Sequence, residues 1–267
     1  MKTESYQVRE GKKLSLKEYN PNETAGVSKE EAAVRKPQLQ LHLVKLQERL
    51  HAKEKQSLLV VLQTRDAGGK DGTIKHVFTG LNPQGVNVTG FKEPTPLELS
   101  HDFLWRVHAH TPVAGMIGVF NRSYYEDVLV TRVHGEVDKQ EVERRYEEIR
   151  AFEISLQNRG TRILKLHLNI SKDEQKKRFQ DRLDDPEKHW KFSQNDLNER
   201  ALWDDYTKAY QDTLSATSTA TAPWYIIPAN HKWFRNDLIM HILLETPNDM
   251  NPQFPKVDFD PSKIIID

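Results

Sequence analysis

The stretch T-R-D-A-G-G-K-D-G-T, Thr64 to Thr73, places three glycines, a lysine and two aspartates between the apolar run SLLVVLQ and the helical pattern IKHVFTGL. Glycines at such a strand-to-helix junction let the backbone approach an anion, and a helix N-terminus supplies free N–H groups and a positive dipole. Lys70 would add a point charge. The usual phosphate-loop spacing is G-x-x-x-x-G-K-[ST]. Here Gly69 and Lys70 fit, whereas Thr64 stands at the first glycine position and Asp71 at the hydroxyl position. A glycine-rich turn without a ligand explains DAGGKDG about as well; the order strand, loop, helix favours phosphate binding by Ala67, Gly68, Gly69, Asp71, Gly72 and Thr73.

Two further clusters carry charge suited to phosphoryl chemistry. VFNRSYYEDVLVTRVHGE (119–136) follows a third apolar run. Its Arg122 and Arg132 could neutralise a transferring phosphoryl group, and Glu126 and Asp127 could hold a metal or an acceptor. At least one of Tyr124 and Tyr125 reads as core or interface packing. KKRFQDRLDDPEKHWKFS (176–193) puts Arg178 and Arg182 on one helical face, with Lys188 and Lys191 after a proline turn. Such a run is most often a solvated face, but its tryptophan and proline suit a lid over an anionic substrate. The histidines of HAH (108–110) read as ordinary surface.

The elements that must position these groups alternate. Short apolar runs at 57–63, 86–91, 115–121, 161–170 and 224–230 read as buried parallel strands, separated by helical patterns that include PLELSHDFLWRVHAH and the stretch 39–56. Strand–helix alternation implies a parallel sheet covered on both faces, with ligands at the carboxyl ends of its strands. Residues 1–37 read as a polar arm, 38–250 as one domain with a helical lid over about 171–220, and 251–267 as a tail. The chain has no cysteine and equal numbers of basic and acidic residues, 39 of each. That excludes thiolate metal sites, and an anionic partner must be held by local clusters. With neither a secretory leader nor a run of the roughly 18 apolar residues a spanning helix needs, a cytoplasmic protein without membrane or nucleic-acid partners is expected.

DAGGKDGTIKHV, NPQGVNV, HDFLWR, FNRSYYEDVLVTRVH, RFQDRLDDPEKHWKFS, W-D-D-Y and TSTATAPW, in that order from about residue 30 to 245, resemble the second family of polyphosphate kinases. The resemblance implies a P-loop kinase-like three-layer α/β/α sandwich with a five-stranded parallel sheet and a helical lid. It implies Mg²⁺-dependent transfer of the terminal phosphoryl of inorganic polyphosphate to a nucleotide, or the reverse, with Mn²⁺ as an alternative ion. Asp66 and Lys70 match the family's loop acid and lysine, Arg122 the arginine of its second motif, and Arg178 and Arg182 its lid arginines. Many relatives carry F-D-R where this chain has Phe120-Asn121-Arg122, so Asn121 replaces one carboxylate metal ligand beside Asp66. The FNRSYYE variant resembles the subgroup that phosphorylates both AMP and ADP, with Glu126 positioned to set acceptor choice. The polymer is expected along Arg178, Arg182 and Lys191, and the acceptor between the loop and FKEPT (91–95), beside Lys92. A dimer or tetramer is expected as the assembly. The alternatives are a P-loop kinase that uses ATP on a nucleotide or small metabolite, and a non-catalytic nucleotide-binding module.

Overall fold

The computed structural model describes residues 1–266. Five strands, β1 (Ser57–Gln63), β2 (Val86–Gly90), β3 (Ile117–Asn121), β4 (Thr161–Asn169) and β5 (Trp224–Pro228), form one all-parallel sheet in the order β2-β3-β1-β4-β5. β1 is central, with Val60 in register with Val119 of β3 and Leu164 of β4. Its side chains alternate as the pleat dictates. Leu58, Val60 and Leu62 enter one core and Leu59 and Val61 the other, so a run of seven buried residues feeds two apolar layers.

The first layer holds α1 (Lys29–Lys53), α2 (Lys70–Val77) and α10 (Lys232–Met250). The second holds α5 (Glu126–Val133), α6 (Lys139–Asn158) and α9 (Trp203–Thr217). Two single turns, α3 (Pro96–Leu99) and α4 (Trp105–His108), occupy the stretch expected to be one helix; between them Asp102 Oδ1 accepts from Leu104 N at 3.0 Å in the turn ahead of α4. α7 (Lys172–Leu183), a 3₁₀ segment Pro186–Lys191 and α8 (Asn195–Ala201) complete the α/β/α arrangement above the carboxyl edge of the sheet.

Two expected boundaries are corrected. The arm does not end at residue 37, because α1 begins at Lys29 behind a capping box in which Ser28 and Glu31 satisfy each other's backbone N–H groups. Pro37 sits inside the helix. Ahead of it the chain packs down: Val8 N donates to Trp224 O at 2.8 Å, Gln7 bridges Tyr225 on the β5 edge, and Val8, Leu14 and Leu16 are buried. The lid is also shorter than 171–220, since α9 buries Ala209, Tyr210 and Leu214 in the second core layer. The exposed part is the 3₁₀ segment and α8, neither of which buries a residue.

Candidate active site

The loop after β1 is fixed from several sides. Thr64 Oγ1 donates to Leu168 O at 2.6 Å, and Gln175 of α7 donates to Asp66 O at 2.9 Å. Ala67 adopts φ 58° and Gly69 φ 103°. A Cβ at Gly68 would lie 1.9 Å from Thr64 Oγ1, and at Gly69 the φ of 103° would strain any side chain, so both positions call for glycine. The first helical bond of α2 runs from Thr73 N to Gly69 O at 2.9 Å. The amides of Lys70, Asp71 and Gly72 therefore precede the helical ladder. α1, α6 and α7 are capped by Ser28, Asp138 and Ser171, but α2 has no side-chain cap. Its bare positive end is a seat for an anion.

Lys70 reaches back over this end, with Nζ 3.5 Å from Thr64 O. Burial and then the neighbouring Arg122 lower its pKa, opposed by Glu126, Asp66 and Asp71. Arg122 follows β3 with φ 65°, a left-handed conformation that costs a residue with a Cβ on the order of 1–3 kcal/mol. The strain aims its guanidinium across the crevice, where Nη2 lies 3.5 Å from Asp66 Oδ1. Burial works against its charge, but Glu126 and Asp66 hold its pKa above the usual value. Glu126 is held in turn by Gln63: with that amide oriented to satisfy both ends, its nitrogen donates to Glu126 Oε1 at 2.8 Å and its oxygen accepts from Ser123 N at 3.1 Å. Burial raises the pKa of Glu126, against the pull of Arg122 and Lys70.

Both tyrosines at 124 and 125 pack in the core, where the sequence reading placed at least one of them. Their hydroxyls donate to Glu153 Oε1 at 2.8 and 2.7 Å, and buried Lys165 donates to Glu153 Oε2 at 2.7 Å. This closed polar group anchors the start of α5 and so the aim of Arg122 and Glu126.

On the acidic side, Asn121 Nδ2 donates to Asp71 Oδ1 at 2.8 Å, and Asp66 lines the same cavity. Asp66, Asp71 and Asn121 are all-oxygen donors of the kind that hold a hard divalent cation. Among the described residues, no group of three or more His, Cys, Asp and Glu is clustered tightly enough to enclose a metal by itself. An ion here would share its coordination with substrate oxygens and water, as Mg²⁺ commonly does.

Arg178 and Arg182 part company despite their shared face. Arg178 is 5 % exposed. Its Nε donates to Glu174, Nη1 to the carbonyls of Ala67 and Gly68, and Nη2 to those of Ala229 and Asn230. All five N–H donors are consumed, so the expected polymer contact is corrected: Arg178 builds the loop. Arg182 instead donates to Lys191 O at 2.8 Å and approaches Asp196 Oδ2 at 3.3 Å while lining the open cavity with Lys188 and Lys191. Arg132 is not brought to the crevice. It pairs with Asp212 at 2.6 Å and donates to Tyr146 Oη at 3.3 Å, tying α5 to α9 and α6.

Two groups escaped the sequence reading. Arg235 of α10 lies against Gly69; its Nε and Nη2 bond Asn236 Oδ1, while Nη1 carries no partner among the described residues. Burial, and secondarily Arg178, pull its pKa down to about 9. Arg65 lies 3.8 Å from the Trp203 ring centroid and donates to Trp203 O, pinning α9 to the end of β1. In sequence Arg235 stands 165 positions beyond Lys70, in KWFRND, with no local pattern to flag it.

Two cavities open on this centre. One, of about 930 Å³, is lined by eleven Lys and Arg against five Asp, and so suits a polyanion. The other, of about 740 Å³, is lined by five Lys and Arg against seven Asp and Glu, with Tyr206, Tyr210 and several apolar side chains. They share Asp66, Phe91, Lys92, Arg122 and Asp196. Lys92 thus faces both, and Arg106 fixes its carbonyl at 2.9 Å.

An uncapped helix end after the first strand, a loop lysine, a facing arginine and a helical lid define a phosphotransferase of the P-loop kinase-like class. A family model described as Polyphosphate kinase 2 (PPK2) matches residues 26–255, and the chain belongs to that family. It is 49% identical over 264 residues to an AMP/ADP-polyphosphate phosphotransferase of Meiothermus ruber, covering 98% of this chain and 99% of that one. It is 42% identical over 269 residues to an ADP-polyphosphate phosphotransferase of Rhodopseudomonas palustris, covering 96% and 93%. The crystal structure of Polyphosphate Kinase 2 from Arthrobacter aurescens TC1 superposes with a TM-score of 0.93 at 47% identity, covering 97% of this chain and 93% of that one. No helix among the described residues is long and apolar enough to cross a membrane.

Proposed function

We propose that this chain moves the terminal phosphoryl group of inorganic polyphosphate to AMP and to ADP, and runs the reverse reaction. The observation that carries the reading is the pair of cavities meeting at Asp66 and Arg122, one strongly basic and one mixed. A polymer of phosphate needs the first; a nucleoside with a short phosphate tail needs the second. Phosphoryl transfer asks for in-line placement and neutralised charge more than for covalent chemistry. Lys70 and the amides of α2 hold the oxygens of the terminal phosphate unit. Arg122, aimed by its strained backbone, meets the charge that builds on the moving group. Arg182, Lys188 and Lys191 bind the polymer behind it, and Lys232 and Arg235 line the same cavity. Glu126 and Lys92 face the acceptor. Asp66 and the Asn121 carbonyl would hold Mg²⁺, or Mn²⁺, which supplies charge neutralisation to the phosphate oxygens when bound.

The names of the Meiothermus and Rhodopseudomonas relatives support this reading, and the first supports AMP beside ADP. Incubation of the pure protein with AMP, polyphosphate and Mg²⁺ should produce ADP first and ATP after it. ADP formed from AMP with ATP as donor, at a rate that polyphosphate does not match, would replace this reading with an ATP-dependent kinase. Nucleotide binding without turnover on either donor would leave a binding module.

A further inference from the structure

The basic cavity does not stop at the anion seat. Beyond the head of α2 it continues between α1 and α10. The face of α1 that lines it presents Lys29, Ala32, Ala33 and Lys36, positions i, i+3, i+4 and i+7 of one helical stripe. Two alanines in the middle leave room, and a lysine stands at each end. α10 forms the other wall with Lys232, Arg235 and Asp237. Arg35 clamps the two walls together, donating from Nε and Nη2 to the two oxygens of buried Asp237 at 2.8 and 2.6 Å. Asp237 is the only acid that α1 and α10 turn to the cavity among the described residues, and this pair consumes it. The charge that the two helices leave open is therefore all positive.

These cations crowd one another. His76, one turn beyond Gly72 on α2, lines the same groove, and burial, then Lys36, Lys75 and Arg235, lower its pKa. Burial, then Arg178, lower that of Lys232 against the pull of Asp181 and Glu174. Arg235, 1 % exposed, sits where the groove meets the anion seat. Among the described residues no carboxylate stands beside it and its Nη1 is unpartnered. A buried charge without a counter-ion is costly, which calls for an anion from outside the protein. Lys29 and Lys36 stand about 10 Å apart along α1, farther than one phosphate unit spans, whereas a chain of units can meet both. We infer that this groove holds the polymer units behind those at the loop and lid, and that Lys29 and Lys36 make the protein favour long donors over short ones. A short polyphosphate fills the seat and leaves the groove empty. A long one gains further contacts, each weak and screened by salt. Because Lys29 and Lys36 meet only the non-reacting part of the chain, they govern the KM for the polymer rather than kcat.

This inference rests on the proposed reaction, and the test separates the two. kcat and KM are measured at saturating AMP for a short polyphosphate of a few units and for a long-chain polyphosphate, with concentrations counted in chains. Wild type, Lys29→Glu and Lys36→Glu are compared with Lys45→Glu, which makes the same charge change at an exposed position of α1 outside the cavity. Wild type should show the lower KM on the long donor. Lys36→Glu and Lys29→Glu should each raise the KM for the long donor about fivefold or more, leave that for the short donor within about twofold and keep kcat. The defect should shrink as salt rises, and Lys45→Glu should change neither donor. Calorimetric Kd values for both donors without nucleotide give the same comparison outside turnover, and Lys29→Ala and Lys36→Ala repeat it without adding a negative charge. A loss shared equally by both donors, a defect in Lys36→Glu no larger than in Lys45→Glu, or equal KM and Kd for the two lengths in wild type would overturn the inference. Absence of transfer from either polyphosphate by wild type would overturn the proposed reaction instead.

Discussion

The loop at 64–73 and the lid from 184 to 201 both present positive charge to one cavity, but they are built in opposite ways. Gln175 and Arg178 of α7 donate to the loop's carbonyls, Thr64 of the loop donates to Leu168 O of β4, and Arg235 of α10 lies against Gly69. The lid buries nothing in its 3₁₀ segment or in α8, and Trp190 is 78 % exposed. Charges that must meet a transition state need fixed geometry. Charges that meet a long, uniform polyanion need only be numerous and adaptable. The two arginines four residues apart on α7 mark the divide, Arg178 locked into the loop and Arg182 at the lid.

The largest effect should come from the centre of the fixed region. Lys70→Ala should lower kcat on the order of a hundredfold or more with the fold intact; steady-state kinetics beside circular dichroism decides it, and activity within a few-fold of wild type would remove Lys70 from the transition state. Next comes Arg178→Ala, which should act on structure and rate together. Truncation leaves Glu174 and four carbonyls without their donor, at a cost of about 3 kcal/mol or more, so the melting temperature should fall by about 6–12 °C or more. Arg178→Lys should rescue little, because one ammonium cannot reach acceptors spread over a planar fork. A variant with normal melting and a raised KM for polyphosphate alone would return Arg178 to the lid.

Two smaller effects sharpen the contrast. Asn121→Asp would set a carboxylate where Nδ2 now donates to Asp71. Like charges at that distance need a cation between them, so the half-saturating divalent metal concentration should fall several-fold, and the ratio of AMP to ADP use should shift. A metal titration unchanged from wild type would place the ion elsewhere. Arg182→Ala should raise the apparent KM for polyphosphate several-fold, with kcat and melting temperature nearly unchanged and the defect shrinking as salt rises. A larger rise in the nucleotide KM would mean that the lid serves the acceptor.

The sheet was legible because five apolar runs alternate with helical patterns, and the loop because its glycines and lysine stand at a strand-to-helix junction. What sequence missed has particular causes. Pro37 reads as a stop, yet α1 runs through it, and the turns before it carry little apolar stripe to announce a helix. α9 reads as polar lid because WDDYTKAYQD spaces its buried Ala209 and Tyr210 among charges, and its attachment through the core, the Arg132–Asp212 pair and Arg65 stacking on Trp203 exists only in the folded chain. Arg178 and Arg182 are the same residue type at helical spacing; what separates them is the set of carbonyls from residues 67, 68, 229 and 230, which meet only in the folded chain. Arg235 likewise reaches the loop from the last helix.

The bonding of Arg178 also sets where motion can begin. With one fork tied to the loop and to the end of β5, α7 up to this residue belongs mechanically to the sheet. Beyond Leu183 the helix gives way to the Asp184–Pro186 bend that leads into the lid. In the proposed reaction a polymer shortened one unit at a time must slide forward between turnovers, past a loop whose hold on the amides at the head of α2 owes nothing to the lid. The part that grips the travelling chain is insulated from the part that performs the transfer, so one assembled template serves every unit of a long substrate.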